Sequence, residues 1–192
     1  GQLLTEIQKY YPFADKKITK YAEPFIGGGA VLFDVLNRYD LSEVYISDIN
    51  AELVNCYWVA QQRVEELIQA LTKMQDEYLP LNHEKRREYY AEKRARFNEL
   101  KNGEKKKGDI EKAALMIFLN RTCFNGLFRV NKKGQFNVPM GAYKNPIICD
   151  AQNLRAVSQK LKAVKIVCGY YKKSEVFVDE NTFVYFDPPY RP

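Results

Sequence analysis

The stretch "ITKYAEPFIGGGAVLFDVLNRYDLSEVYISDIN", residues 18–50, decides the fold. "ITKYAEPF" is a short strand candidate in which Ile18 and Tyr21 lead to a turn at Pro24. "GGGAVLFDVLNRY" reads as a helix entered through glycine, with Val31, Leu32, Val35 and Leu36 on one face. "SEVYISDIN" is a second strand whose β-branched and aromatic run ends at Asp48. Residues 51–74, "AELVNCYWVAQQRVEELIQALTKM", follow as one long amphipathic helix. Strand, helix, strand, helix is the pattern of a parallel sheet with right-handed crossovers.

Outward from this stretch the alternation lapses and then resumes. Upstream, Thr5 to Tyr10 looks like the end of a helix stopped before Pro12. Downstream, residues 76–126 are charged and helical in character, with "DIEKAALMIFLNRTCF" the most apolar part. In "GLFRVNKKGQFNVP", the runs Leu127–Val130 and Gln135–Val138 flank Asn131-Lys132-Lys133-Gly134. Gly134 can take the positive φ that such a loop needs, so a β-hairpin with a basic tip is expected. "DAQNLRAVSQKLKAV" is then a helix, and "KIVCGYY" and "TFVYF" are strands. The expected architecture is a doubly wound α/β domain, residues 1–75 and 149–192, interrupted by an inserted domain, residues 76–148.

The chain has 192 residues, 46% of them hydrophobic, which excludes a disordered protein and allows a sizeable core. No apolar run approaches the ~20 residues that span a bilayer. The first residues lack the basic-then-apolar pattern of a signal peptide, so a cytoplasmic protein is expected. Cys56, Cys123, Cys149 and Cys168 are far apart, without CxxC pairing, and His83 is the one histidine. Reduced thiols, rather than a zinc site, are expected. The net charge of +6 is uneven: −3 over residues 1–75, +6 over 76–150 and +3 over 151–192. Polyanion binding would therefore sit in the middle of the chain. Glu84, Glu88, Glu92, Glu99 and Glu104 interleave with that basic stretch, so charge alone fits a solvated helical face equally well.

In a doubly wound sheet, ligands bind beyond the carboxyl ends of strands, at the switch in strand order. Four groups fall at such ends here: Glu23-Pro24-Phe25 with Gly27-Gly28-Gly29, Asp48, Gly169-Tyr170-Tyr171, and Asp187-Pro188-Pro189-Tyr190. The glycines let backbone approach a ligand at a helix start. Leu32 stands where a dinucleotide fingerprint has its third glycine, so a pyrophosphate is not demanded. Asp48 suits the hydroxyl pair of a ribose; as part of "SDIN" before a helix it also suits an N-cap. An adenosine compound is the implied ligand. Pro188 and Pro189 fix φ and remove two backbone donors, leaving carbonyl acceptors. Asp187 and a rigid carbonyl can accept both hydrogens of one planar amino group while Tyr190 stacks on the heterocycle that bears it. Holding both N–H groups out of plane localises the nitrogen lone pair for attack, a preorganised electrostatic effect.

Taken together, Ala22-Glu23-Pro24-Phe25-Ile26-Gly27-Gly28-Gly29, Ser47-Asp48-Ile49-Asn50, "NRTCFNGLFRVNKKGQFNVPMGAYKNP" and Phe186-Asp187-Pro188-Pro189-Tyr190 resemble the adenine-N6 DNA methyltransferases of the Dam type, the D12 class. The resemblance spans nearly the whole chain. It implies a Rossmann-like, S-adenosylmethionine-dependent methyltransferase fold carrying an inserted helical and β-hairpin DNA-recognition domain. It implies S-adenosylmethionine held by Glu23, Pro24, Phe25, Gly27, Gly29 and Tyr170, with Asp48 on the ribose. Asp187 and the Pro188 carbonyl would hold N6 of a flipped adenine, with Tyr190 stacked on it, in double-stranded DNA. The hairpin would read sequence: Arg129 on a guanine edge, Leu127 and Pro139 against bases, Phe124 and Asn125 at the vacated position, and Lys132 and Lys133 on phosphates. GATC is the implied site, methyl transfer is direct, and neither a metal nor a membrane is called for. A monomer is expected.

The chain departs from the family in places. "CGYYKK" offers Tyr170 and Tyr171 where relatives carry an acid that reaches the cofactor's adenine amine. Ala142 stands where relatives often have arginine. A short Trp/Gly/Lys motif before residue 1 and about three strands after the DPPY segment would complete the family pattern, so a truncated chain with an incomplete sheet is expected, its Asp187–Tyr190 loop exposed. An RNA adenine methyltransferase and a non-catalytic DNA-binding remnant are the competing readings.

Overall fold

The structure is a computed structural model that describes residues 2–102 and 107–188. It forms two compact units, residues 1–54 with 160–192, and residues 55–159.

The first unit holds α1 (Gln2–Gln8), β1 (Lys20–Glu23), α2 (Ala30–Arg38), β2 (Glu43–Asp48), β3 (Val164–Cys168) and β4 (Thr182–Val184). All four strands are parallel, in the order β3-β2-β1-β4. The mixed α/β class and the parallel sheet thus agree with the sequence. Strand order reverses between β1 and β4, which face each other as Lys20↔Thr182, Tyr21↔Phe183 and Ala22↔Val184. The central strands β1 and β2 are mostly buried, whereas β3 and β4 on either side are only partly covered. Tyr21, Ala22 and Ile46 are wholly buried, and Tyr45 stacks on Phe177 at 5.3 Å between ring centroids. "TFVYF" contributes only Thr182–Val184 as regular strand, with one further bond from Tyr185 N–H to the Ala22 carbonyl at 2.9 Å.

The second unit is helical: the greater part of α3 (Ala51–Gln62), α4 (Val64–Tyr78), α5 (His83–Asn102), α6 (Ile110–Thr122) and most of α7 (Ala151–Leu161). The single long helix expected over residues 51–74 breaks at Arg63, whose φ of −139° and ψ of 39° are not helical. No glycine or proline marks the break. Instead Arg63 bonds both Glu66 oxygens, at 2.7 and 2.6 Å, and reaches the Gly108 carbonyl at 3.4 Å. Asn55, 3% exposed on α3, accepts from the Gly108 and Asp109 N–H groups and donates to the Asp109 carbonyl. Asp109 in turn caps α6 by accepting from Lys112 N–H at 3.0 Å. Leu67, Leu71, Tyr78, Phe97, Leu115, Phe118 and Leu119 form the apolar interior. Burying each gains about 1.5–3 kcal/mol.

The expected hairpin is present as a ribbon of isolated bridges, not as two regular strands. Val130 pairs with Phe136 and Cys123 with Met140, both antiparallel. The tip closes on Asn131, whose Oδ1 accepts from the Lys133 and Gln135 N–H groups, while Gly134 takes φ 73°. Asn137 N–H bonds the Arg129 carbonyl at 3.2 Å, and Phe124 N–H bonds the Pro139 carbonyl at 2.9 Å. Between these two bonds the register slips, because Phe124–Gly126 loops out as a single 3-10 turn. That excursion is why the ladder is not continuous. Side chains of α5 replace the missing ladder bonds. Asn98 accepts from Phe136 N–H at 2.8 Å and donates to its carbonyl at 3.1 Å, and Tyr90 Oη donates to the Val138 carbonyl at 2.9 Å.

Among the described residues no helix is long and apolar enough to cross a membrane, and no group of three or more His, Cys, Asp or Glu side chains is arranged to hold a metal. The four cysteines are free thiols.

Candidate functional site

Alternation along β1 puts Tyr21 and Glu23 on the same face of the strand. The Tyr21 hydroxyl donates to Glu23 Oε2 at 2.7 Å. Glu23 is 3% exposed and also accepts from the Leu32 N–H in the first turn of α2. That contact caps a helix whose Gly29 entry has no side chain to offer. Burial, aided by the negative field of Asp187, pushes the Glu23 carboxyl up to about 7, against the two hydrogen bonds that hold it down. Burial and the Glu23 charge also drive the Tyr21 hydroxyl far upward, so it stays a donor at any working pH. Pro24 is buried, and its carbonyl accepts from the Ser47 hydroxyl at 3.4 Å.

Asp48 ends β2. Its Oδ2 accepts from the Gly27 N–H at 3.3 Å and its Oδ1 from the Asn50 N–H at 2.9 Å. The cap of α3 is Asn50, whose Oδ1 accepts from the Glu52 and Leu53 N–H groups at 3.1 Å. The N-cap alternative for Asp48 is therefore overturned. Asp48 ties the glycine loop to the end of β2. Gly27 and Gly29 take φ 48° and 71°, a backbone that side chains resist, and a Cβ on Gly28 would meet nothing within 4 Å.

Beyond β4 the chain emerges beside this loop. Phe186, Asp187 and Pro188 are exposed, Phe186 at 51%. Pro189 and Tyr190 lie outside the described residues. Phe25, Tyr171 and Phe186 form a ring cluster with centroids 5.7 to 6.3 Å apart, and Tyr170 leans on Tyr171 at 4.4 Å. The Tyr170 hydroxyl is raised by its hydrogen bond with Tyr171. At the end of β3, Lys173 Nζ crosses Gly169 to donate to the Cys168 carbonyl at 3.0 Å. This edge gathers Glu23, Asp48, Asp187, an open glycine turn and four aromatic rings. Those groups fit an adenosine compound with a cationic centre: carboxylates for hydroxyls and positive charge, and rings for a heterocycle.

In the second unit, Phe124, Asn125, Leu127 and Arg129 are all exposed on the ribbon, with Phe124 at 52%. Asn125 holds φ 52°, the one non-glycine residue with positive φ among those described. The looped-out turn thrusts both Phe124 and Asn125 outward. Lys132 and Lys133 are exposed at the tip. Pro139 lies on the wall of a cavity of about 590 Å³ that also meets His83, Arg87, Tyr90 and Arg94. Sequence reasoning missed three residues of this face: Asn98 and Tyr90, which dock the ribbon on α5, and Asn137, whose Oδ1 accepts from Arg129 Nε at 2.9 Å. Counting outward from the Asn131–Gln135 closure would have set Asn137 opposite Arg129. Nothing local marked Asn98.

Comparison with known proteins follows the same pattern. The family model of the D12 class N6 adenine-specific DNA methyltransferase matches residues 1–192. The chain is 50% identical, over all of its length and 66% of the relative's, to the type II methyltransferase M.MjaIII of Methanocaldococcus jannaschii. It is 39% identical to the type II methyltransferase M1.LlaDCHI of Lactococcus lactis subsp. cremoris, again over its whole length and over 62% of that protein. It is 32% identical to the DNA adenine methylase of Escherichia coli K12, over 99% of this chain and 61% of that one. The chain thus spans a little under two thirds of the length of these curated relatives. With a match that covers every residue, and with Glu23, Asp48 and Asp187 on one edge of a parallel sheet, the chain belongs to the D12 class of N6 adenine-specific DNA methyltransferases.

Proposed function

We propose that the protein methylates the N6 amine of adenine in double-stranded DNA, with S-adenosylmethionine as donor and GATC as the site. The observation that carries this reading is that Glu23, at the end of β1, and the exposed Asp187, just beyond β4, lie on the two paired strands that flank the switch in strand order. Glu23, Pro24, Phe25, Gly27, Gly29, Asp48 and Tyr170 would hold the cofactor, whose sulfonium supplies an electrophilic methyl group when bound. The Asp187 carboxylate and the Pro188 carbonyl accept the two amine hydrogens and draw the nitrogen lone pair out of ring conjugation. Tyr190 carries the base, which must leave the duplex because N6 is out of reach inside it. Arg129, Leu127 and Pro139 read base edges, Phe124 and Asn125 fill the gap, and Lys132 and Lys133 hold phosphates without specifying sequence. The protein acts as a monomer, and its inserted recognition domain spans residues 76–148.

The test is transfer of tritiated methyl from S-adenosylmethionine to duplexes with and without GATC. Asp187→Ala is expected to remove at least ~99% of transfer, since preorganised groups of this kind contribute about 10²–10³ in rate. Cofactor binding, measured separately by calorimetry, should survive the change. Transfer unaffected by Asp187→Ala sinks the mechanism. Equal transfer to both duplexes sinks the GATC assignment.

A further inference from the structure

We infer that Asn137 is a positioning residue that sets the guanidinium of Arg129 before DNA arrives. The inference rests on the proposal that Arg129 reads a guanine. The two residues sit opposite each other next to the Val130–Phe136 bridge, and their main chains are joined by Asn137 N–H to the Arg129 carbonyl at 3.2 Å. Their side chains are joined as well. Arg129 Nε donates to Asn137 Oδ1 at 2.9 Å, and Nη2 makes a longer contact with the Asn137 carbonyl at 3.5 Å. One residue therefore holds the side-on edge of the guanidinium at two points. The Nη1 N–H groups and the second N–H of Nη2 are left to face outward, the end-on edge that matches the O6 and N7 of guanine.

The physical reason for such a partner is entropic. A free arginine side chain carries about 2 kcal/mol of rotamer entropy, lost when it docks. Arg129 is exposed on a ribbon whose strands are not regular, so packing does not restrain it. Asn137 is half-buried next to Phe136, which Asn98 clamps to α5. Its main chain is thus held in place, and both oxygens that Arg129 bonds belong to that anchored residue. Asparagine suits the task because its acceptor is neutral. A carboxylate there would neutralise the cation that must approach a polyanion.

The experiment measures dissociation constants, by fluorescence anisotropy, for a GATC duplex and for the same duplex with each guanine replaced by 7-deazaguanine, which lacks the N7 acceptor. Discrimination is the ratio of the two constants, and general phosphate attraction cancels from it. Arg129→Ala should lower discrimination by roughly tenfold, as loss of a bidentate pair allows, and Asn137→Leu by about three- to fivefold. Asn137→Asp keeps the acceptor and should restore the ratio even where it weakens binding overall. In the Arg129→Ala background, Asn137→Leu should have no further effect, the signature of two residues acting as one. A ribbon that merely loses stability would weaken both duplexes equally, and that result, or additive effects in the double variant, overturns the inference. Loss of discrimination in Arg129→Ala alone, with Asn137→Leu unchanged, overturns it while leaving Arg129 as reader. No discrimination by the wild-type chain, or none lost in Arg129→Ala, overturns the reading of Arg129 and this inference with it. The Arg129 Nε–H resonance supplies a measurement free of DNA. It should be protected from solvent exchange in the wild type and in Asn137→Asp and unprotected in Asn137→Leu, and equal exchange in all three refutes the contact.

Discussion

Glu23→Gln should make the protein more stable at neutral and alkaline pH, and the gain should disappear in acid. The Glu23 carboxyl ionises near 4.5 when exposed and near 7 in the folded chain, where burial dominates. Between those values the folded chain keeps a proton that the unfolded chain has released, so stability falls as pH rises. The stability this proton supplies is present below pH 4.5 and is lost by the time pH passes 7. At about 1.4 kcal/mol per pH unit, the loss is about 3 kcal/mol, a large part of the total for a domain of this size. Glutamine keeps the shape and one acceptor oxygen for the Tyr21 hydroxyl or the Leu32 N–H, and it never ionises. Urea unfolding of both proteins, at half-unit steps from pH 5 to 8, measures the effect. The difference between variant and wild type cancels every other titrating group. It should grow by about 2–3 kcal/mol over that range in favour of the variant. A difference that stays flat would refute the claim that a buried, costly carboxylate sits at the end of β1.

Tyr21→Phe removes the 2.7 Å hydrogen bond to Glu23. It should cost about 1–3 kcal/mol at pH 8, where the acceptor is charged, and clearly less at pH 5, with the Glu23 titration moved further up; a pH-independent cost in the same unfolding series argues against it. Asn98→Ala strips Phe136 of two backbone partners. About 2 kcal/mol of stability should be lost, with faster hydrogen exchange at the Phe136 amide than at amides within α4; unchanged exchange there would show that α5 does not dock the ribbon.

Much of the first unit was legible because its signals are local. The buried run of β2, the glycine entry of α2 and the apolar face of α2 each depend on residues a few positions apart. The break at Arg63 was not legible, because it has neither glycine nor proline and is held by Glu66 and the Gly108 carbonyl, the latter far along the chain. "SDIN" contains two residues able to cap a helix, and only their hydrogen bonds assign the cap to Asn50 and release Asp48 to the glycine loop. In the hairpin, Asn131 and Gly134 announced the turn. The looped-out Phe124–Gly126 turn was silent, since Asn125 enters the left-handed region at a cost that only surrounding bonds can support.

The candidate site divides the same way. Residue types and their places at strand ends belong to the sequence alone: a carboxylate at the end of β1, another at the end of β2, a third before two prolines. Which of them meet is a matter of strand order, and no periodicity encodes that. Side-chain spacing is set within one strand, whereas neighbours in a sheet are chosen by how the whole chain crosses over. Tertiary structure set β4 beside β1, brought Ala22 into register with Val184, and so put Asp187 within the electrostatic reach of a buried Glu23.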